Sequence, residues 1–382
     1  VTDMLRRTCA VFCGLICLCS FSCKSGKTTS TEKVQLVKTG SMELRYAEQF
    51  SVDYYEGGYS LARIGDDSFL IVPEGAEVPG TDGDVTVIRQ PVENIYVAAS
   101  SAMDLFDGIG SLDEVAMTST AEKDWSLPDI RDAVGSGSIA YIGKYSSPDY
   151  EALVSGNCGL AVESTMIYHT PEVREKIEAL GIPVLVERSS YESHPLGRME
   201  WLKLYGLLTG DAESAEDFFN EKTKGFDELM KKERNDGERK TAAFFYISSN
   251  GYVNIRKPGD YISKMIELAG GSYIFTADQL KIEDNALSTM NIQTETFYET
   301  ARDADFLIYN STIEGELDSV EQLIGKCGVL ADCKAVKNGN VWCTGQNMFQ
   351  QTTGAADMIC DLELVFSQQA DGKEMSFLHR LE

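Results

Sequence analysis

Residues 212–234 read AESAEDFFNEKTKGFDELMKKER, and this stretch decides the fold. Phe218, Phe219, Phe226, Leu229 and Met230 fall to one side and charges fill the rest, the pattern of an amphipathic helix. Gly210-Asp211 separates it from a shorter helical piece at 198–208, which follows Pro195-Leu196-Gly197. One helix of roughly 20 residues is ~30 Å long. That is unusual inside one compact lobe and suits a helix that connects two.

Outward from it, both flanks alternate short apolar strands with amphipathic helices. Before it, 85–89, 95–98, 139–142, 160–162 and 184–187 read as strands. A helix starts at Asp149 and another covers 172–180, stopped by Gly181 as a C-cap. Earlier still, 42–46, 51–54, 59–64 and 69–72 are extended segments separated by the turn signals Gly57-Gly58 and Gly65-Asp66-Asp67. After the polar break 234–240, strands at 242–247, 306–309 and 341–343 alternate with helices at 261–269, 296–301, 319–324 and 355–366. This alternation predicts the α/β class: two Rossmann-like lobes joined by a single long connecting helix, with a ligand cleft between them. The boundaries are a leader at 1–23, a polar tether at 24–36, an N-terminal lobe at 37–197, a connecting segment at 198–236 and a C-terminal lobe at 237–382.

The halves echo each other. Tyr150-Glu151 opens a helix leading to the strand 160–162, which ends at Glu163-Ser164-Thr165. Tyr298-Glu299 sits in a helix leading to 306–309, which ends at Asn310-Ser311-Thr312. Duplication and chance both produce such an echo. Ligands bind at the carboxyl ends of strands in open α/β sheets, so two such ends facing each other make one site.

The chain starts differently. Arg6-Arg7, an apolar run from about Ala10 to Phe21 and then Ser22-Cys23 have the form of a secretory signal. The run is shorter than the ~20 apolar residues a bilayer span takes. Polar sequence follows at once from Lys24. The alternative is a leader without lipid, with Cys9, Cys13, Cys17 and Cys19 as apolar filler. Hydrophobic residues are 43% and charged residues 25% of the chain, a globular composition. A net charge of −26 repels phosphate backbones, so no nucleic-acid partner is expected. With three histidines and no CxxC pair, a structural metal site is not expected. Cys327, Cys333, Cys343 and Cys360 leave one disulfide or buried free thiols open. G-x-S-x-G, G-x-x-x-x-G-K-[ST] and H-E-x-x-H patterns are absent, which points away from an enzyme.

A cysteine at the cleavage point before a polar tether looks like a bacterial lipoprotein, in which Cys23 is lipidated. Six stretches carry a wider resemblance: Tyr46-Ala47-Glu48-Gln49-Phe50, Asp149-Tyr150-Glu151-Ala152-Leu153, Ser193-His194-Pro195-Leu196-Gly197-Arg198-Met199-Glu200-Trp201, Glu267-Leu268-Ala269-Gly270-Gly271, Ala304-Asp305-Phe306-Leu307-Ile308 and Ala335-Val336-Lys337-Asn338-Gly339-Asn340-Val341-Trp342. In this order the chain resembles the substrate-binding proteins of ABC importers, of the class that carries iron–siderophore complexes, haem or vitamin B12. Cys158-Gly159-Leu160 stands where the class has Pro-Asp-Leu.

The resemblance implies an extracytoplasmic, lipid-anchored monomer that carries no cofactor of its own. It captures an iron complex, haem or a corrinoid and delivers it to an ABC permease with its ATPase. It implies that Glu151, and either Glu295 or Glu299, dock onto permease arginines. The expected ligand-binding residues are Tyr145, Ser100, Ser101, Ser164, Thr165, Tyr252, Met290, Asn310 and Asn347 at strand ends, with Arg198 and Arg256 for carboxylates on the cargo. His194 at the lobe junction is a candidate for haem iron, against the commoner role of a hydrogen-bonding residue at a helix start. A cell-surface hydrolase and a non-transport surface lipoprotein are the alternatives.

Overall fold

The computed structural model describes residues 36–80, 85–232, 239–280 and 288–382. The expectations for the leader, Cys23 and the tether up to residue 35 lie outside these residues. The first strands are β1 (Lys38–Ser41), β2 (Phe50–Tyr55), β3 (Ser60–Ile64), β4 (Asp67–Val72) and β5 (Thr86–Arg89), hydrogen-bonded in that order. β1 to β4 are antiparallel, and β5 joins β4 in parallel. Buried and exposed positions alternate along β3, as a sheet with one wet face requires. The strand expected at 42–46 is absent, and β1 lies before it.

A second sheet holds β6 (Ile95–Val97), β7 (Val115–Thr118), β8 (Ala140–Tyr141), β11 (Ala161–Ser164) and β12 (Val184–Glu187). Its order is β12-β11-β6-β7-β8, all parallel. β9 (Gly143–Lys144) and β10 (Ser147–Pro148) form a separate hairpin. Alternate strand residues serve opposite faces. Val97, Val162 and Leu185 pack with α1 (Ser100–Gly108) and α2 (Pro128–Ser136). Tyr96, Ala161 and Val184 pack with α3 (Tyr150–Ser155) and α4 (Pro171–Ala179). A sheet covered on both faces explains why β12, VLVE, is buried throughout.

Three helices lead out of this sheet: α5 (Pro195–Glu200), α6 (Leu202–Thr209) and α7 (Ala212–Lys231). Gly210 at φ 94° ends α6 in the left-handed conformation. The buried stripe of the 20-residue α7 is Ala215, Phe219, Thr223, Phe226 and Leu229. Met230 is exposed and Phe218 only half-buried, because neighbouring positions on a helix point ~100° apart and cannot share a face. A third sheet follows, with β13 (Thr241–Ile247), β14 (Val253–Arg256), β15 (Ser272–Tyr273), β16 (Thr289–Ile292), β17 (Phe306–Tyr309), β18 (Val341–Thr344) and β19 (Leu378–Arg380). Its order is β16-β14-β13-β17-β18-β19, with β15 beside the start of β13. Its helices are α8 (Tyr261–Leu268), α9 (Thr294–Ala301), α10 (Ser311–Glu314), α11 (Val320–Lys326), α12 (Lys334–Lys337) and α13 (Ala355–Phe366). One apolar core runs from Phe50 through Trp201, Tyr205 and Phe219 to Phe244, Phe306 and Ile359. The two lobes are therefore welded together through α5, α6, α7 and α13, and each keeps its own sheet.

Two buried carboxylates tie the N-terminal segment to this weld. Glu200 accepts from the backbone N–H groups of Arg45 (2.8 Å), Tyr46 (2.8 Å) and Ala47 (2.9 Å). Glu192 accepts from Glu48 N (2.8 Å), Gln49 N (3.0 Å) and Trp201 Nε1 (2.9 Å). Those bonds satisfy the backbone of 45–49, which has no strand partner there.

Candidate functional site

The lobes meet where strand ends of the second and third sheets face each other. β7 runs out through Ser119 into a loop that carries Trp125 and Ser126. β18 runs out into a turn at Gln346–Phe349, and a second turn at Thr352–Gly354 leads into α13. Gln350 bridges them. Its Oε1 accepts from Ser126 N at 2.8 Å and Ser126 Oγ at 2.6 Å, and its Nε2 donates to Asp124 O at 2.8 Å. Thr352 Oγ1 donates to Ser101 O at 2.9 Å, and Thr353 N donates to Asp104 Oδ2 at 2.7 Å.

Beside these bonds lies a cavity of about 680 Å³ whose wall includes Asp104, Asp107, Trp125, Asp129, Glu316 and Asn347. The volume suits a drug-sized ligand. Burial pushes Asp104 up to about 6, against the opposing pull of the Thr353 bonds. Burial also raises Asp107, and Asp129 nearby adds to the shift. Trp125 is buried and donates Nε1–H to Thr120 O at 3.2 Å.

A second, much smaller space of about 20 Å³, room for about one water, lies between α5, α8 and α13. Arg198, Tyr261, Met265, Met348 and Met358 line it. The Arg198 guanidinium is 4.0 Å from the Tyr261 ring centroid, and its buried Nε has no hydrogen-bond partner. Gln351 touches both spaces.

Of the residues expected from the sequence, Asn347 lines the large cavity and Arg198 the small one. The others are placed differently. Ser100 and Ser101, read as loop, open α1, and Ser101 contributes its carbonyl to the lobe contact. His194 caps α5: its Nδ1 accepts from Leu196 N at 3.2 Å, and its ring stacks on Tyr46 at 4.3 Å. Burial holds it down at about 4, so it is neutral. Arg256 lies on β14. It is a buried strand residue whose guanidinium lies 3.6 Å from Asp260 and 3.3 Å from Ser288 Oγ. Asn310 is buried and caps α10 through Thr312 N at 3.2 Å. Met290 packs half-buried on the core from β16. Ser164 caps the turn that begins at Thr165, accepting from Met166 N at 3.3 Å. Tyr145 packs half-buried against the core below α3, and Tyr252 is exposed in the turn between β13 and β14. Glu151, Glu295 and Glu299 are exposed. Cys158, Cys327, Cys333, Cys343 and Cys360 are free thiols.

Trp125, Gln350 and the carboxylates of the cavity were missed. The signal was available: recognising 115–118 as a strand places Trp125 just past its carboxyl end, where ligands are met. Among the described residues no cluster of His, Cys, Asp and Glu is arranged to hold a metal, and no helix is long and apolar enough to cross a membrane.

No family model matches the chain. Two uncharacterized lipoproteins of Methanocaldococcus jannaschii are similar in sequence. One is 25% identical over 293 residues, 74% of this chain and 67% of the relative. The other is 26% identical over 316 residues, 80% and 77%. Among solved structures, a periplasmic heme-binding protein of Vibrio cholerae superposes with a TM-score of 0.56 at 15% identity, covering 71% of this chain and 98% of that one. A periplasmic binding protein from Veillonella parvula gives 0.56 at 16% identity, covering 82% and 97%. A periplasmic vitamin B12 binding protein of Vibrio cholerae gives 0.51 at 14% identity, covering 74% and 99%. The chain is similar in fold to these periplasmic binding proteins.

Proposed function

We propose that this chain is the extracytoplasmic, lipid-anchored substrate-binding protein of an ABC importer, which captures an iron complex, haem or a corrinoid between its lobes and hands it to the permease. The observation that carries the reading is the 680 Å³ cavity walled by α1, α2 and the loop after β7 on one side and by Glu316 and the segment after β18 on the other. The fold it shares with solute-binding proteins adds support. Helix α7 acts as the strut between the lobes. Packed against α13 and α6, it allows a modest change of lobe angle rather than wide closure.

Docking falls to Glu151 on the first lobe. On the second it falls to Glu295 or Glu299, both exposed on α9. Thr294 Oγ1 donates to Gly251 O at 3.0 Å, which holds the start of α9 beside the turn that follows β13.

The test is binding without turnover. The full chain, reconstituted in lipid nanodiscs, is titrated with hemin, cyanocobalamin and ferric siderophores by tryptophan fluorescence, with equilibrium dialysis in parallel. One of them should bind, quench Trp125 and be recovered chemically intact. Trp125→Phe should remove most of the quenching, because Trp125 lines the cavity and Trp201 and Trp342 do not. Consumption of the ligand, or no binding by any of them, overturns the reading.

A further inference from the structure

The cargo's charge class follows from the cavity wall, on the reading that this cavity is where the cargo sits. Four carboxylates, Asp104, Asp107, Asp129 and Glu316, line it against two cations, Lys123 and Arg131. The cations do not cancel the acids at close range. Arg131 Nε lies 4.0 Å from Asp132, a neighbouring exposed acid. The acids also come from both lobes: α1 and α2 supply three, and the loop after α10 supplies Glu316. Glu316 is fixed there by accepting from Gln346 N at 2.8 Å. The remaining wall is neutral: Trp125 offers a flat ring, and Gln346, Asn347 and Gln351 offer amides. The basic residues expected to meet an anionic cargo are elsewhere. Arg256 is engaged with Asp260 inside its lobe, and Arg198 looks into a space too small for a chelate.

A polyanion entering this wall meets an excess of like charge, whereas a cation meets attraction. We infer that the cavity selects a metal chelate of neutral or positive net charge, bearing amide-type oxygens for Gln346, Asn347 and Gln351, and rejects polyanionic chelates. This separates trishydroxamate complexes and neutral corrinoids from triscatecholates and from haem with its two propionates.

The test uses the full chain in nanodiscs and four probes by equilibrium dialysis: ferrioxamine B (monocationic), cyanocobalamin (neutral), hemin (net anionic through its two propionates) and ferric enterobactin (trianionic). The expected order places ferrioxamine B or cyanocobalamin ~100-fold or more tighter than the two anions. Asp107→Asn with Asp129→Asn should weaken ferrioxamine B ~10-fold and weaken its salt dependence. Lys123→Gln, which removes an opposing charge from an exposed site, should strengthen it. Preferred binding of hemin or ferric enterobactin overturns the charge assignment and leaves the transport reading standing. Binding of none of the four overturns both. Ferrioxamine B affinity insensitive to all three substitutions overturns the assignment to this wall.

Discussion

Among the described residues of the N-terminal lobe, Glu163 is a buried acid without a partner. It sits on β11, fully buried, and neither carboxylate oxygen has a hydrogen-bond partner. Burial pushes it from its ordinary 4.5 up to about 8. The folded chain therefore keeps a proton that the unfolded chain gives up, and stability is greatest below about 4.5 and falls as pH rises toward 8. The loss is on the order of 5 kcal/mol over that window. Glu163→Gln should flatten this part of the pH profile of urea unfolding, and a profile unchanged by the substitution would refute the assignment. Glu200 is the opposite kind of buried acid, with its oxygens satisfied by three backbone N–H groups and by Lys203 Nζ at 3.2 Å. Glu200→Ala should cost ~3 kcal/mol by leaving those donors and the buried Lys203 short of a partner, read as a lower urea midpoint with an unchanged slope.

At the scale of elements, α6 and α7 touch because Gly206 has no side chain. A Cβ there would lie 2.6 Å from Ala215 Cβ and 2.9 Å from Asp211 O. Gly206→Ala should destabilise by ~2 kcal/mol. Ala215→Gly in the same chain should recover part of that, and additive losses in the double variant would rule out the contact as the cause. What could be read from sequence divides along the same physics. β12, β17 and α13 were legible to the residue, because unbroken apolar runs and a 3.6-residue stripe leave one reading. β14 and β16 were not. β14 reads VNIR and is buried throughout, its polar Asn254 satisfied across the strand pair by Asn291 at 2.9 Å. A partner distant in sequence removes the cost of that burial, and local pattern cannot show it. α1 was unread because Ser100-Ser101 looks like a turn and its N-cap, Ala99, makes no side-chain cap. The site suffered most. Asn310, Ser164 and His194 had the chemistry of ligand residues, but their side chains accept from backbone N–H groups at helix and turn starts, the commoner use of such residues there.

For the whole molecule, the proposed docking and capture roles rest on separate residues. Glu151 is exposed on the first turn of α3 and does not touch the cavity wall. Glu151→Arg should therefore leave cargo affinity unchanged in dialysis and abolish cargo-stimulated ATP hydrolysis by the reconstituted importer. A parallel loss of affinity would show that the two roles share a surface. Free and loaded scattering profiles should differ only slightly, since the core is continuous through α5, α6, α7 and α13. The clamp of Glu192 and Glu200 on residues 45–49 bears on how the body hangs from whatever lies upstream. A pull on the beginning of the chain is taken up first by β1 at the edge of the first sheet and only then by the spine common to both jaws.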